Sequence, residues 1–280
     1  MDEWAPDAVV STFHLAGQIT GRLRGSGVLS VPTVVYVTDF ALHRGWLHPG
    51  NDLHVCVTEA AAAAARTGTG RPAVASGPLV APEFHLPQGL PLARRSRWEA
   101  TFARYAPGRP PVLVSAGAWG VGSALLGTVR GLARHGCLPV LLCGRDERLR
   151  RRAARLPGVL ALGWVTDMAQ LMPCARVLID NAAGQTAVQA LAARVPVIAY
   201  RPIPGHGAEG VRHMAAAGLS VTARDLGELL GAVDRLAQPG AARDRQLARG
   251  ASAFLSDAAR LITDLTAPEG PRGGPYAGGS

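Results

Sequence analysis

Lysine is missing altogether: every one of the 29 basic side chains in these 280 residues is arginine, set against 20 acidic ones for a formal net charge of +9. With alanine and glycine abundant, so one-sided a choice reads as a compositional pressure on the whole chain. The arginines are dispersed, with small clusters at Arg94-Arg95, Arg97 and Arg148-Arg150-Arg151-Arg152. No basic motif interleaved with aromatics is present, so nucleic acid is not an expected partner. The surplus is read as a solvated basic surface, with attraction to anionic lipid headgroups or phosphates as the sharper alternative.

Paired cysteines are lacking too. Cys56, Cys137, Cys143 and Cys174 form no CxxC, and three of them lie in or beside apolar runs. Buried free thiols in a reducing compartment fit that pattern. The start, with Asp2 and Glu3, has no basic n-region before an apolar core, so no signal peptide is expected and the location is read as cytoplasmic. Pro111 to Val129 is uncharged over 19 residues, close to membrane-spanning length. Gly117, Gly120, Gly122 and Gly127, with Ser115 and Ser123, divide it into a strand, a turn and a helix start. His43, His48 and His54 lack ligand spacing, so no metal site is expected.

What is present is alternation. Short apolar runs end in polar or glycine-rich turns and are followed by helical segments, the pattern of a doubly wound α/β fold. In the first part, strands are expected at Ala8–Ser11, Thr33–Val37, Leu53–Val57 and Ala73–Ala75. Thr58 caps a helix through the alanine run from Ala60. A Pro/Gly-rich linker spans Pro82–Pro91. In the second part, strands are expected at Val112–Ser115, Val140–Cys143, Val159–Ala161, Val177–Ile179 and Val197–Tyr200. Asp225 with Glu228 forms a capping box, and a final helix is expected over Ala241–Leu265. The expected division is 1–90, 91–267 and a disordered tail, 268–280. Two successive strand-to-helix turns, Asp180 to Gln185 and Pro202 to Gly207, would fall on the carboxyl edge of a parallel sheet, where open α/β folds bind ligands. Free N–H groups and the dipole behind Ala183-Gly184 suit a phosphate.

These pieces resemble a known group. The Pro6 to Ser11 strand followed by His14, Val37-Thr38-Asp39, the run His43 to Asp52, Gly77-Pro78-Leu79-Val80, Cys143-Gly144-Arg145, Gly163 to Met168, Asp180 to Pro196 and Pro202 to Gly205 are, in their order and spacing, similar to diacylglycerol glycosyltransferases and monogalactosyldiacylglycerol synthases. That group is related to the peptidoglycan N-acetylglucosaminyltransferase. The resemblance implies a GT-B architecture, two Rossmann-like domains of which the first is incomplete here. It implies an inverting transfer of a hexose from a UDP-sugar to a lipid acceptor such as diacylglycerol, with no cofactor besides the donor substrate.

The resemblance also assigns residues. The turn Ala183-Gly184-Gln185 and the N–H groups of Thr186 and Ala187 would hold the diphosphate, Asn181 would belong to the same donor-binding set, and Gln189 would stand where the group places a ribose-binding Glu. Val165 would read the base, and Gly205 with His206 the sugar. Gly117 and Gly120 would close over the diphosphate, with Arg145 beside them. His43, with Asp39 and His48, is the candidate general base and its orienters. Basic and Trp-bearing surface of the first domain would rest on the inner face of a membrane without spanning it, and Trp46 is read either as core packing or as an acceptor contact.

The departures lie in the first domain, whose opening strand corresponds to a later strand of the group. The first βαβ units and the loop that brings a His to the reacting centre are then expected outside this sequence, leaving an unpaired edge open to self-association or to a partner chain. The alternatives are a non-catalytic nucleotide- or lipid-binding remnant, an N-acetylglucosaminyltransferase acting on a lipid-linked cell-wall precursor, or, more distantly, a nucleotide-sugar 2-epimerase.

Overall fold

The computed structural model describes residues 5–85 and 92–264, so residues 86–91 of the expected linker, and the tail, lie outside the described residues. The chain forms two units. One contains the residues up to Thr38, Leu42–Gly77 and the chain from Leu255 on; the other contains Asp39–Ala41 and Pro78–Phe254.

In the first unit, β1 (Val9–Ser11), β2 (Thr33–Val37), β3 (Leu53–Cys56) and β4 (Ala73–Ala75) form one parallel sheet in that order. The helices α1 (His14–Gly25) and α2 (Glu59–Thr69) make two of the crossovers. Every residue of β2 and β3 is buried. A strand covered on both faces reads as a continuous apolar run, which is why TVVYV was recognisable. Thr58 caps α2 by accepting the Ala61 N–H, and Gly70 ends the helix in the left-handed conformation at φ 65°. Arg24 at the end of α1 binds Asp52 at 2.9 Å, and the same carboxylate oxygen accepts the Thr33 N–H at 2.8 Å. Burial opposes the Asp52 charge, yet Arg24 and Thr33 outweigh it and hold the carboxyl below its ordinary pKa. β1 lies at one end of the sheet order.

The second unit holds six parallel strands: β5 (Pro111–Ser115), β6 (Leu138–Leu142), β7 (Leu160–Leu162), β8 (Val177–Asp180), β9 (Val197–Tyr200) and β10 (Val221–Ala223). Their spatial order is β10-β9-β8-β5-β6-β7. The chain winds outward from β5 through β6 to β7, then returns to the other side of β5 and winds outward again. β5 and β8 are therefore the pair at which the strand order reverses. Val112, Leu113, Val177, Leu178 and Ile198 have no exposure, and each such burial is worth about 1.5–3 kcal/mol.

Helices α4 (Leu125–Arg134), α5 (Glu147–Ala153), α6 (Met168–Leu171), α7 (Gln185–Ala192), α8 (His206–Ala216), α9 (Leu226–Ala237) and α10 (Ala241–Ser252) connect and flank these strands. The α9 capping box is present, with Asp225 accepting the Glu228 N–H and Glu228 accepting the Arg224 N–H.

Three elements differ from the sequence reading. The expected strands of the second part end at Tyr200, and β10 adds a sixth at the end of the sheet order. Helix α3 (Leu92–Tyr105) precedes β5; the Trp98 indole binds Asp167 at 2.9 Å and the Tyr105 hydroxyl binds the Val159 carbonyl at 2.8 Å. The expected final helix is two, α10 and α11 (Ala258–Thr263). The break is fixed by Ser76, whose carbonyl accepts the Leu255 and Ser256 N–H groups, and by Asp257, which restarts the helix by accepting the Ala259 and Arg260 N–H groups. Ala258 then packs with Val34, Tyr36, Leu53 and Val55. No helix among the described residues is long and apolar enough to cross a membrane.

His54 on β3 is fully buried, and neither ring nitrogen has a hydrogen-bond partner. Burial first, and His48 second, push its pKa from 6.5 down to about 4. The unfolded chain therefore takes up a proton that the folded chain refuses between those values, and stability falls as pH drops through that window. The expected loss is about 3 kcal/mol from pH 7 to pH 4. Urea unfolding at a series of pH values should show this slope, and His54→Leu should remove it. An unchanged slope in His54→Leu would refute the assignment.

Candidate functional site

A cavity of about 960 Å³ lies within the second unit, at the carboxyl ends of β5 and β8. Its position follows from topology: the two loops leaving adjacent strands depart to opposite sides and leave a crevice between them. Gly117 comes from the β5 loop, Val165 from the segment after β7, and Asn181, Gly184, Gln185, Thr186 and Gln189 from the β8 turn and α7; all line this cavity. Gly120, Arg145 and Gly205 do not. Gly205 stands at the N-cap of α8 instead, at φ 82°, with His206 as the first residue of that helix.

The turn after β8 is built around one carboxylate. Asp180 is 4 % exposed, and its Oδ2 accepts the N–H groups of Ala182 at 2.9 Å and Ala183 at 2.7 Å. Burial raises its pKa, and the N–H bonds of Ala182, Ala183 and Asn181 act against the rise. These bonds hold Ala183 in the left-handed region at φ 51°, a conformation costing a non-glycine residue about 1–2 kcal/mol. Gly184 then stands at the N-cap of α7 with no side chain to satisfy the first N–H groups, and a Cβ built there meets nothing within 4 Å. The helix start is thus open toward the cavity at Gly184, Gln185 and Thr186. Ala187 was expected to share in it, but its N–H is spent on the Gly184 carbonyl at 3.0 Å.

Two amides of the expected set have structural work. The Asn181 amide donates to the Val121 carbonyl at 3.1 Å, tying the end of β8 to the β5 loop. Gln185 donates to the Leu79 carbonyl at 3.0 Å. Gln189 stands one turn further along α7 and is half-buried.

The β5 loop is held by backbone packing. Gly144, at φ 59°, lies so close to the Gly117 carbonyl oxygen that a Cβ built on it would collide there, and the Arg145 N–H donates to the Ala118 carbonyl at 2.8 Å. The Arg145 guanidinium lies over the rings of Trp119 at 5.6 Å and Trp164 at 4.8 Å. Both indoles are exposed and line the cavity. Sequence reasoning missed Trp98, which binds Asp167 two residues beyond Val165; a hydrogen bond across 69 positions leaves no local signal.

In the first unit, His43 is gathered with His14 at 5.2 Å and Trp46 at 6.1 Å between ring centroids. Its Nδ1 accepts the Gly45 N–H at 3.1 Å, so the neutral ring carries its proton on Nε2. His48 is placed elsewhere, against α1 at Gly21, and its Nδ1 likewise accepts a backbone N–H, from Gly50 at 3.0 Å. Asp39 is grouped with the second unit. Trp46 is 2 % exposed within a core with Val35, Val37 and Cys56, which is the packing alternative of the two read for it. The exposed large apolar side chains described in this unit are Val10, Phe13, Leu15, Ile19, Val28 and Leu255. Among the described residues no group of His, Cys, Asp and Glu could hold a metal.

Comparison with known proteins agrees with the resemblance read from the sequence. The family model described as monogalactosyldiacylglycerol (MGDG) synthase matches residues 1–74. The chain is 26 % identical over 248 residues to a processive diacylglycerol beta-glucosyltransferase of Bacillus cereus (strain ATCC 14579), covering 83 % of this chain and 60 % of that protein. It is 26 % identical over 246 residues to the enzyme of the same name from Bacillus subtilis (strain 168), covering 84 % and 62 %. The chain therefore spans about three-fifths of the length of these relatives. Among solved structures, Anabaena Alr3699/HepE in complex with UDP-glucose superposes with a TM-score of 0.60 at 14 % identity, over 92 % of this chain and 77 % of that one. Acinetobacter baumannii MurG does so with a TM-score of 0.59 at 15 % identity, over 95 % and 74 %. The fold is that of the GT-B glycosyltransferases, as expected.

The close approach at Gly144 generates a test. Gly144→Ala must displace backbone oxygen and also adopt a positive φ, whereas Gly136→Ala at φ 87° meets nothing within 4 Å. The control should lose about 1 kcal/mol and Gly144→Ala about 3 kcal/mol or more in urea unfolding. Equal losses would show that the two loops are not locked together.

Proposed function

We propose that the second unit binds a UDP-sugar and that the chain is part of a glycosyltransferase moving a hexose to a lipid acceptor such as diacylglycerol, with inversion at the anomeric carbon. One observation carries this reading: the uncapped start of α7, presented to a cavity at the strand-order reversal. The N–H groups there and the helix dipole are aimed where negative charge grows as the diphosphate departs, so they stabilise the transition state more than the ground state. Gly117 approaches the diphosphate from the β5 loop, Val165 takes the base edge through its backbone, and Gln189 takes the ribose hydroxyls by accepting one hydrogen bond and donating another. Gly205 is outside the cavity lining, so it and His206 meet the sugar only if the donor extends past α7 toward the start of α8.

The comparisons support the substrate class through the names of the Bacillus relatives, and the bound UDP-glucose of the Anabaena protein supports the donor. Exposed Phe13, Leu15 and Ile19 in the first unit suit contact with lipid acyl chains. The chain would then work at the inner face of the cell membrane without crossing it. The outer strand β1 is the edge at which further strands, from the length these relatives have in addition or from another chain, would pair.

A second reading is favoured by the imidazoles. His43 and His48 both have Nδ1 engaged by backbone N–H groups, so neither offers that lone pair for removing the acceptor proton. The chain would then bind nucleotide without transferring sugar, or the base would come from beyond this sequence. For His43 to serve with Asp39 as base and orienter, the Gly45 bond must first be released.

A single variant tests the donor site with two readouts of opposite sign. Gly184→Asp supplies a side-chain cap to α7 and should raise stability by roughly a few tenths of a kcal/mol. The same carboxylate repels a diphosphate, so calorimetric UDP binding should weaken at least about tenfold. Wild-type protein giving no heat with UDP at several millimolar would refute both readings of this unit. Undiminished UDP binding in Gly184→Asp would place the diphosphate elsewhere.

A further inference from the structure

The second unit has another cavity, of about 410 Å³, at the β10 edge of the sheet, and none of its lining residues lines the larger one. It is enclosed by the end of α8, the start of β10, the last turn of α9 and one face of α10. Arg235 on α9 and Arg245 and Arg249 on α10 line it. Arg245 and Arg249 are four residues apart and so share a helix face.

The neighbouring Arg243 shows what a structural arginine does here: its guanidinium is half-buried and donates to the carbonyls of Arg176 and Leu236. The guanidinium groups of Arg235, Arg245 and Arg249 make no hydrogen bond or ion pair among the described residues. Three guanidinium groups around one concavity repel one another unless an anion lies between them.

Two buried polar atoms accompany them. Ser220 and Gln246 also line the cavity, and each is 5 % exposed. Gln246 Nε2 is used, donating to the carbonyls of Val197 at 2.8 Å and Leu219 at 3.1 Å. Gln246 Oε1 and Ser220 Oγ have no partner. A buried polar atom without a hydrogen bond is costly, and a native structure keeps few of them. Oε1 can only accept, so the complementary group is a donor such as a hydroxyl.

We propose that this cavity is a second ligand site, for a phosphate ester of a polyol: the three arginines take the phosphate, and a neighbouring hydroxyl reaches Gln246 Oε1 and Ser220 Oγ. Guanidinium forks match phosphate oxygens in pairs, which favours phosphate over a lone carboxylate. The assignment does not rest on the donor site, and the glycerophosphate of an anionic lipid or a soluble polyol phosphate presents the same chemistry.

The test uses the full chain, glycerol 3-phosphate and inorganic phosphate in calorimetry, and co-sedimentation with vesicles of phosphatidylglycerol or of phosphatidylcholine alone. Glycerol 3-phosphate should bind below about 1 mM, at least about tenfold more tightly than inorganic phosphate, since only the ester carries the free hydroxyls. The double variant Arg245→Gln/Arg249→Gln should keep the wild-type unfolding midpoint and UDP affinity while weakening glycerol 3-phosphate about a hundredfold, tenfold for each charge-assisted contact. Ser220→Ala should narrow the gap between the ester and inorganic phosphate. Saturating UDP should leave all of these values unchanged.

Vesicle binding that needs phosphatidylglycerol and is lost in the double variant assigns the site to a lipid headgroup. Glycerol 3-phosphate binding without vesicle binding assigns it to a soluble ester. The proposal is overturned if neither probe binds, if the double variant binds as tightly as the wild type, or if inorganic phosphate matches glycerol 3-phosphate.

Discussion

Asp180 ends β8 almost out of contact with water and gives one carboxylate oxygen to the N–H groups of the next turn. A carboxyl group placed so deeply is tolerated because those donors replace the water it lost. In return it holds Ala183 in a conformation the residue would otherwise avoid and sets Gly184 at the head of α7. The neighbouring Asn181 extends the arrangement in two directions. Its carbonyl accepts the Ile203 N–H from the loop after β9, and its amide reaches Val121 in the loop after β5. Two loops that bound the cavity are therefore referenced to one short turn.

The proposed donor site would recognise charge without charged side chains. Gly117, Gly184 and Thr186 line the cavity, and a diphosphate held there would meet backbone dipoles. Such groups are fixed before the ligand arrives, so little reorganisation opposes charge development. The arginines play other parts. Arg24 and Arg243 bind structural carboxylate or carbonyl oxygens, Arg145 stacks between exposed indoles, and Arg235, Arg245 and Arg249 surround a separate cavity. An excess of one residue type across the chain thus resolves into distinct physical uses that composition could not separate.

Legibility followed the range of the forces involved. β2, β5, β8 and β9 could be read because a strand buried on both faces needs an unbroken apolar run, and each ends in a turn residue. The caps at Thr58 and Asp225 were visible because their partners lie three positions away. Helix α3 escaped notice because its Arg-rich sequence carries little apolar periodicity, and its anchors, Trp98 to Asp167 and Tyr105 to Val159, span distant positions. The break after α10 was hidden for a similar reason: Ser76, far away in the chain, supplies the acceptor that stops the helix.

At the candidate site the sequence by itself determined that a small-residue turn would follow Asp180 and open a helix, since glycine, small residues and an Asp after an apolar run mark such a turn. It also determined the parallel α/β character of both units. Only the tertiary structure decided which of those residues meet. It placed Gly117, Val165 and Gln189 on one cavity, left Gly205 off it, sank Trp46 into the core, and engaged Nδ1 of both His43 and His48 with backbone N–H groups. The physical reason is that strand order, unlike strand identity, is set by long-range pairing. β8 lies beside β5 rather than beside β7, its predecessor in the chain, and that choice opens the crevice.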